Sequence, residues 1–272
     1  MACNMLQAYE QEIGSCCGGH VHISSDYLTS KEAYANLFEI WGNTERILYI
    51  ISNEKGDIPR YGIRKTCGTN IASNSGSNRK GSINLNTEDD LDKFIEQLQN
   101  VQEEENAQQD KLGRTTSINL LKINNGRNTI EFRVPNGTIN PNTWIENVKL
   151  FGRIVQMSEK LAQIEKKDES EKTEEDIHLE ELMNRLKTNL PENEKMEVLL
   201  ELLFTEEERD VYRERYYENS KGLEGYNDTI SSLNFAEKVD FRRHTIEEFG
   251  KTARENNGGY KYCEVESSKE KK

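Results

Sequence analysis

The sequence predicts an α+β protein: a small antiparallel sheet with helices packed on one face, followed by a helical C-terminal region. Three observations point there. The segments Gly18-Gly19-His20-Val21-His22-Ile23-Ser24 and Thr129-Ile130-Glu131-Phe132-Arg133-Val134-Pro135 alternate polar and apolar residues with period two, as strands with one buried face do. Between and after them run apolar stripes at helical spacing. Beyond a charged linker at 166–176 only helical patterns occur before the polar tail.

Taken in chain order, residues 1–14 fit a short helix through Met5, Leu6, Tyr9 and Ile13. The His-x-His strand follows, with His20 and His22 on one face and Val21 and Ile23 on the other. Thr29-Ser30-Lys31-Glu32 has the form of a capping box, in which Thr29 and Glu32 satisfy each other's backbone amides. The helix it starts is expected to run to about residue 53, with Tyr34, Leu37, Phe38, Trp41, Leu48 and Ile51 as its core stripe. Residues 54–86 lose all periodicity and are rich in Gly, Ser, Asn and basic residues, Arg60, Arg64, Lys65, Arg79 and Lys80 among them. Loops longer than about 15 residues are usually functional or disordered. Thr87 is the expected N-cap of the next helix, whose buried face carries Leu91, Phe94, Ile95, Leu98 and Val101.

A hairpin is expected from Ser117 to Val134, turning at Asn124-Asn125-Gly126-Arg127. A two-residue Asn-Gly turn is a strong hairpin signal, but it would set Leu120 opposite Glu131 and Ile118 opposite Arg133. A three-residue loop with a bulge sets Leu120 opposite Phe132, Ile118 opposite Val134 and Asn119 opposite Arg133. The buried face selects register, so the second arrangement is preferred, with Asn119 on the polar front. Asn140-Pro141 then reads as an N-cap followed by proline at the first helical position. Its helix ends near residue 166, and its stripe is Ile145, Val148, Phe151, Val155 and Leu161. These elements divide the chain into an α+β unit at 1–165, a charged linker at 166–176, a helical region at 177–254 and a polar tail at 255–272. The helical region offers Ile177 to Leu190, Met196 to Phe204, Thr205 to Tyr217 and Phe235 to Arg254, with a second capping box at Thr205 and Glu208.

Composition narrows the function. Over 272 residues, 36 basic against 49 acidic residues leave a net charge of −13, which argues against nucleic acid or an anionic membrane as the main partner. No apolar run approaches the ~18 residues a membrane span needs, and no signal-peptide pattern opens the chain. The five cysteines (Cys3, Cys16, Cys17, Cys67, Cys263) form neither a disulfide framework nor Cys-x-x-Cys, so reduced thiols and a cytoplasmic location are expected.

The sheet front carries the chemistry. Histidine, carboxylate and guanidinium on one face can hold a divalent ion and a phosphate. The bland alternatives are surface-strand histidines for His20 and His22, and a structural ion pair for Glu131 and Arg133. Residues two apart on a strand lie ~7 Å apart, a poor spacing for direct pairing, which favours the functional reading. For Arg60 and Arg64 a solvated loop is as good an account as a site.

Gly18-Gly19-His20-Val21-His22-Ile23-Ser24 is similar to the histidine motif of glutamine synthetase, and the run from Ile130 to Pro141 (I-E-F-R-V-P-N-G-T-I-N-P) to its Glu-x-Arg segment. Spacing and the following helix resemble the amidoligase family of the glutamine-synthetase-like carboxylate–amine ligase superfamily, over roughly residues 15 to 160. The resemblance implies ATP- and Mg2+-dependent ligation of a small-molecule or peptide carboxylate to an amine through an acyl-phosphate. It implies His20 as ligand of the metal and nucleotide phosphate, Glu131 as a ligand of the same metal, and Arg133 on the transferred phosphoryl group. His22 shares their face, and Arg60 and Arg64 fall where the related families carry arginines. Those enzymes also place a Glu-x-Glu strand, with its metal-binding carboxylates, upstream of the histidine motif. Only nineteen residues precede His20 here, and Glu10-Gln11-Glu12 lies in a helical context. The implied readings are therefore the C-terminal half of a split or truncated ligase, with a second chain supplying the acidic strand, an incomplete or inactive remnant, or a ligase whose carboxylates lie elsewhere. A non-catalytic scaffold that keeps the sheet is the alternative of a different class. A metallohydrolase on His20 and His22 is the weakest, because no third ligand stands at metal-ligand spacing.

Overall fold

The computed structural model describes Cys3, Met5, residues 18–57, 59, 90–109, 117–124 and 126–221, with side chains excepted over 101–109. Most of the expected first helix, Arg60 and Arg64 with most of their loop, Thr87, the helix from Phe235 and the polar tail lie outside those residues. The described elements are α+β: a three-stranded antiparallel sheet and six helices.

Strand β1 is Val21–Ser24, β2 is Ile118–Asn119 and β3 is Thr129–Phe132, in spatial order β1-β3-β2. The register pairs Val21 with Phe132, His22 with Glu131, Ile23 with Ile130 and Ser24 with Thr129. On the other side of β3, Ile118 pairs with Phe132 and Asn119 with Glu131. Pairing continues past the strand ends, where Gly18 bridges Asn136 and the Gly19 amide donates to Pro135 O at 2.9 Å. Gly19 is there because nothing larger fits. A Cβ on it would run into the Trp144 ring at Cη2 and stand 2.8 Å from Asn136 O.

The hairpin register differs from both sequence alternatives. Asn119 faces Glu131, not Arg133, and Ile118 faces Phe132, not Val134. The slip is two residues, so every side chain keeps the face expected of it. The loop is longer because Asn124 (φ 57°), Gly126 (φ 81°) and Asn128 (φ 45°) turn it through left-handed conformations. A tertiary contact holds it open: Gln99 Nε2 donates to Leu120 O and Ile123 O, both at 2.9 Å.

Helix α1 (Lys31–Ile51) starts one residue later than the expected capping box. Ser30 is its N-cap, accepting from the Ala33 amide. Thr29 instead donates its amide (2.9 Å) and hydroxyl (2.7 Å) to Glu159 of a distant helix. The expected stripe of Tyr34, Leu37, Phe38, Trp41, Leu48 and Ile51 is buried, and so are Ile40, Ile47, Tyr49 and Ile50. This burial on nearly all sides follows from α1 being packed between the sheet and several helices. Helix α2 (Leu91–Gln109) is N-capped by Asp90, which accepts from the amides of Asp92 and Lys93, and buries Phe94, Ile95 and Leu98.

Helix α3 (Pro141–Ile164) has the expected Asn140 N-cap with proline at its start. Its buried face is rotated from the expected one. Ile145 is 65% and Val148 51% exposed, while Thr143, Asn147, Leu150 and Ile154 join Phe151, Val155 and Leu161 inside. Behind the sheet, Phe132 of β3 stacks on Phe151 of α3 (centroids 4.7 Å apart, planes 6°) and lies 5.3 Å from Trp41 of α1.

Helices α4 (Glu174–Leu186), α5 (Glu192–Leu203) and α6 (Glu206–Lys221) follow. Helix α4 begins before the expected Ile177, because Thr173 and Asp176 make a reciprocal capping box. The buried apolar residues of α4 to α6 belong to the same cluster as the sheet and α1. At the C-terminal end of α1 the free carbonyls are met by side chains from elsewhere: Asn219 of α6 donates to Ile50 O (2.9 Å), Arg215 of α6 to Ile51 O (3.4 Å), and Asn147 of α3 to Ser52 O (2.8 Å). Asn53, just beyond, accepts from the Asn136 amide at 2.6 Å. That bond ties the end of α1 to the segment flanking Gly18 and Gly19.

Candidate functional site

The front of the sheet is built by parity. In the middle row Asn119, Glu131 and His22 lie side by side across β2, β3 and β1. His20 and Arg133 stand just beyond the ends of β1 and β3, where the chains still run together. Glu131 is the hub. Its Oε1 receives His20 Nδ1 at 2.9 Å and lies 3.4 Å from an Arg133 terminal nitrogen and 3.9 Å from His22 Nε2. Its Oε2 accepts from Asn119 Nδ2 at 2.8 Å. His22 also has Thr129 as a partner, Nδ1 to Oγ1 at 3.1 Å. The hub is buried, with Glu131 only 5% exposed, whereas both histidines stand at the surface.

Electrostatics keep the hub anionic. Burial by itself would raise the Glu131 carboxyl. The His20 hydrogen bond, the Arg133 charge and the Asn119 amide outweigh it and hold the group down at about 2. A carboxylate ionised throughout the neutral range suits a cation or the cationic edge of a phosphate site.

Of the sequence-derived candidates, His20, His22, Glu131 and Arg133 come together, and Arg60 and Arg64 lie outside the described residues. The expectation that Glu131 and Arg133 stand too far apart to pair needs correcting. Backbone pairing with the β2 side runs on to Arg133, whose amide donates to Ser117 O at 2.8 Å. From there the long side chain folds back along the front to Glu131. Thr129 went unnoticed in the sequence, although its parity with Glu131 was a usable signal. Asn119 was placed on the front, but its contact with Glu131 depended on the true register.

Among the described residues, no group of three or more His, Cys, Asp or Glu side chains is arranged to hold a metal ion. The front supplies one anionic carboxylate and, on His20, an imidazole whose Nε2 becomes the acceptor when Nδ1–H binds Glu131. Such a set can add one or two donors to a divalent cation that arrives with nucleotide phosphates, the phosphates and waters completing the shell. It does not make an all-protein metal centre.

Directly behind the front lies a second carboxyl. Glu45 of α1, 6% exposed, accepts from the Ser117 hydroxyl, and Ser117 Oγ accepts from Trp41 Nε1 at 3.0 Å. Burial pushes the Glu45 carboxyl up to about 7, against the lowering effect of these hydrogen bonds. No helix among the described residues is long and apolar enough to cross a membrane.

A family model described as "putative amidoligase enzyme" matches residues 2–155, more than half of the 272-residue chain. No curated protein and no solved structure matches the chain.

Proposed function

The chain belongs to the family described as putative amidoligase enzyme, and on that premise we propose that it is an ATP- and Mg2+-dependent carboxylate–amine ligase acting in the cytoplasm. The observation that carries the reading is the convergence of His20 and Arg133 on the buried, anionic Glu131.

In the proposed reaction the substrate carboxylate oxygen attacks the γ-phosphorus of ATP, and the bond to the bridging oxygen of ADP breaks. The amine then attacks the carbonyl carbon of the acyl-phosphate, loses a proton, and expels inorganic phosphate to leave an amide or isopeptide. Mg2+, when bound with the nucleotide, would neutralise phosphate charge as it moves toward ADP. His20 is the residue proposed to hold it, through Nε2, with Glu131 on Nδ1 as the carboxylate that orients the imidazole rather than as a second ligand. Arg133 is proposed to meet the equatorial oxygens of the phosphoryl group in flight, which its planar fork matches. Glu131 keeps that guanidinium aimed along the front, and His22, steadied by Thr129, lines the same face. Arg60 and Arg64 are proposed to bind phosphate or substrate carboxylate. Any further carboxylates for the metals would come from residues outside the described set, from the substrate, or from a second chain.

A scaffold role is the second reading. It is favoured by Glu131 being the one carboxylate within this front cluster of described residues. Calorimetry with ATP–Mg2+, followed by phosphate release over a panel of amino acids and peptides, separates the two. Binding that Glu131→Gln weakens, with phosphate release that Arg133→Lys lowers, supports the ligase. Absence of binding, with those variants indistinguishable from the parent, supports the scaffold.

A further inference from the structure

The Asn119 side chain is 1% exposed and makes two hydrogen bonds, both to groups that fix its orientation. Its Oδ1 accepts from the Leu121 amide at 2.9 Å and its Nδ2 donates to Glu131 Oε2 at 2.8 Å. The amide cannot be turned over. A flipped Asn119 would set its NH2 against an N–H and its carbonyl against a carboxylate, two repulsions in place of two bonds. Nδ2 is therefore committed to Glu131, and Glu131 is gripped from both sides of the sheet, by Asn119 on β2 and by His20 beside β1.

We propose that Asn119 is a positioning residue of the site: by holding Oε2 of Glu131 it presents Oε1 to His20 Nδ1, and so fixes the imidazole in the tautomer whose Nε2 faces the ligand as an acceptor. This rests on the ligase reading for what the ligand is, a divalent cation carried by nucleotide phosphates. The chemistry is general. A ligating imidazole is normally held by a carboxylate on its other nitrogen, and that carboxylate sets tautomer and ring direction. Here the carboxylate has about four lone-pair positions; His20 and Asn119 take one on each oxygen, and the Arg133 guanidinium stands 3.4 Å from Oε1 as an ion pair. Without Asn119, the Glu131 carboxylate is free to turn about its last torsion, and the Oε1–His20 bond loses its fixed direction. Burial of Asn119 under the loop that Gln99 holds also makes the register of β2 part of the device.

The test uses the full chain labelled with 15N-histidine, with His20 assigned by the signals lost in His20→Gln. Long-range 1H–15N correlation at about pH 8, where ordinary imidazoles are neutral, reads which ring nitrogen carries the proton. The parent is expected to show His20 protonated on Nδ1. In Asn119→Leu, which keeps the shape without the donor, and in Asn119→Ala, the Nε2–H tautomer should appear alongside it. ATP–Mg2+ affinity should fall by less than the roughly 10- to 100-fold that loss of a ligand's direct partner costs, because Asn119 acts through Glu131. A parent with His20 protonated on Nε2, or folded variants that keep the parent tautomer, would overturn the proposal. So would failure of both variants to fold, which would mark Asn119 as structural. If the parent binds no ATP–Mg2+, the ligase reading fails instead, while the tautomer comparison still decides the role of Asn119.

Discussion

Replacing Glu45 with glutamine should make the protein more stable at neutral pH and change little in acid. Glu45 is 6% exposed, its carboxyl accepts from the Ser117 hydroxyl, and burial raises it from 4.5 to about 7. In the unfolded chain it titrates at the ordinary value. Between about pH 4.5 and 7 the folded form therefore holds a proton that the unfolded form has released. The folded state binds more protons, so stability falls as pH rises through that window and levels off above it. At 1.36 kcal/mol per pKa unit, the shift of about 2.5 units corresponds to roughly 3 kcal/mol at most. Glu45→Gln keeps an oxygen for Ser117 and removes the charge. Relative to the parent it should gain up to about 3 kcal/mol above pH 7, or some 6–12 °C in Tm for a chain of this size, and nothing below about pH 4.5. Calorimetric melts of parent and variant at pH 5, 6, 7 and 8 give the difference directly, since groups common to both cancel. A difference in Tm that is the same at pH 5 and pH 8 would refute the reasoning. So would a variant less stable than the parent at pH 8.

Other perturbations follow from single contacts. Gly19→Ala would drive a methyl into Trp144 and Asn136 O; the pairing around Gly18 and Gly19 should loosen, with a loss of about 1–3 kcal/mol in urea unfolding and weaker ATP–Mg2+ binding. Asn219→Ala should cost about 2–3 kcal/mol in the same assay, because it strands both Ile50 O and the Gly56 amide, to which Asn219 now bonds at 2.9 and 2.8 Å. On the proposed ligase mechanism Arg133→Ala should cut phosphoryl transfer by about a thousandfold or more, on the scale of an arginine that stabilises a phosphoryl group in flight, with a smaller change in KM for ATP. Pre-steady-state phosphate release checks this, and an unchanged rate would remove Arg133 from the reaction.

What the chain determines by itself is parity and composition. Period-two alternation put His20, His22, Glu131 and Arg133 on one face before any tertiary contact was considered, because successive strand residues point to opposite sides whatever they pair with. The same rule kept Asn119 on the front even though the register was off by two, since a two-residue slip preserves faces. Apolar spacing likewise located α1, and Asn140-Pro141 located the start of α3, because capping is local chemistry. Contacts between distant residues were beyond that reach. Gln99 on α2 holds the hairpin loop, and so sets Asn119 against Glu131. Glu159 takes Thr29 away from its expected capping partner. Asn219, Arg215 and Asn147 cap the end of α1, and the first two join α6 to the α+β unit. Packing α1 against α3 turned Thr143 and Asn147 inward, Asn147 onto Ser52 O, and left Ile145 and Val148 facing out. Each of these pairs residues far apart in sequence. Periodicity tells which face a side chain occupies, and only the folded chain decides what stands opposite it.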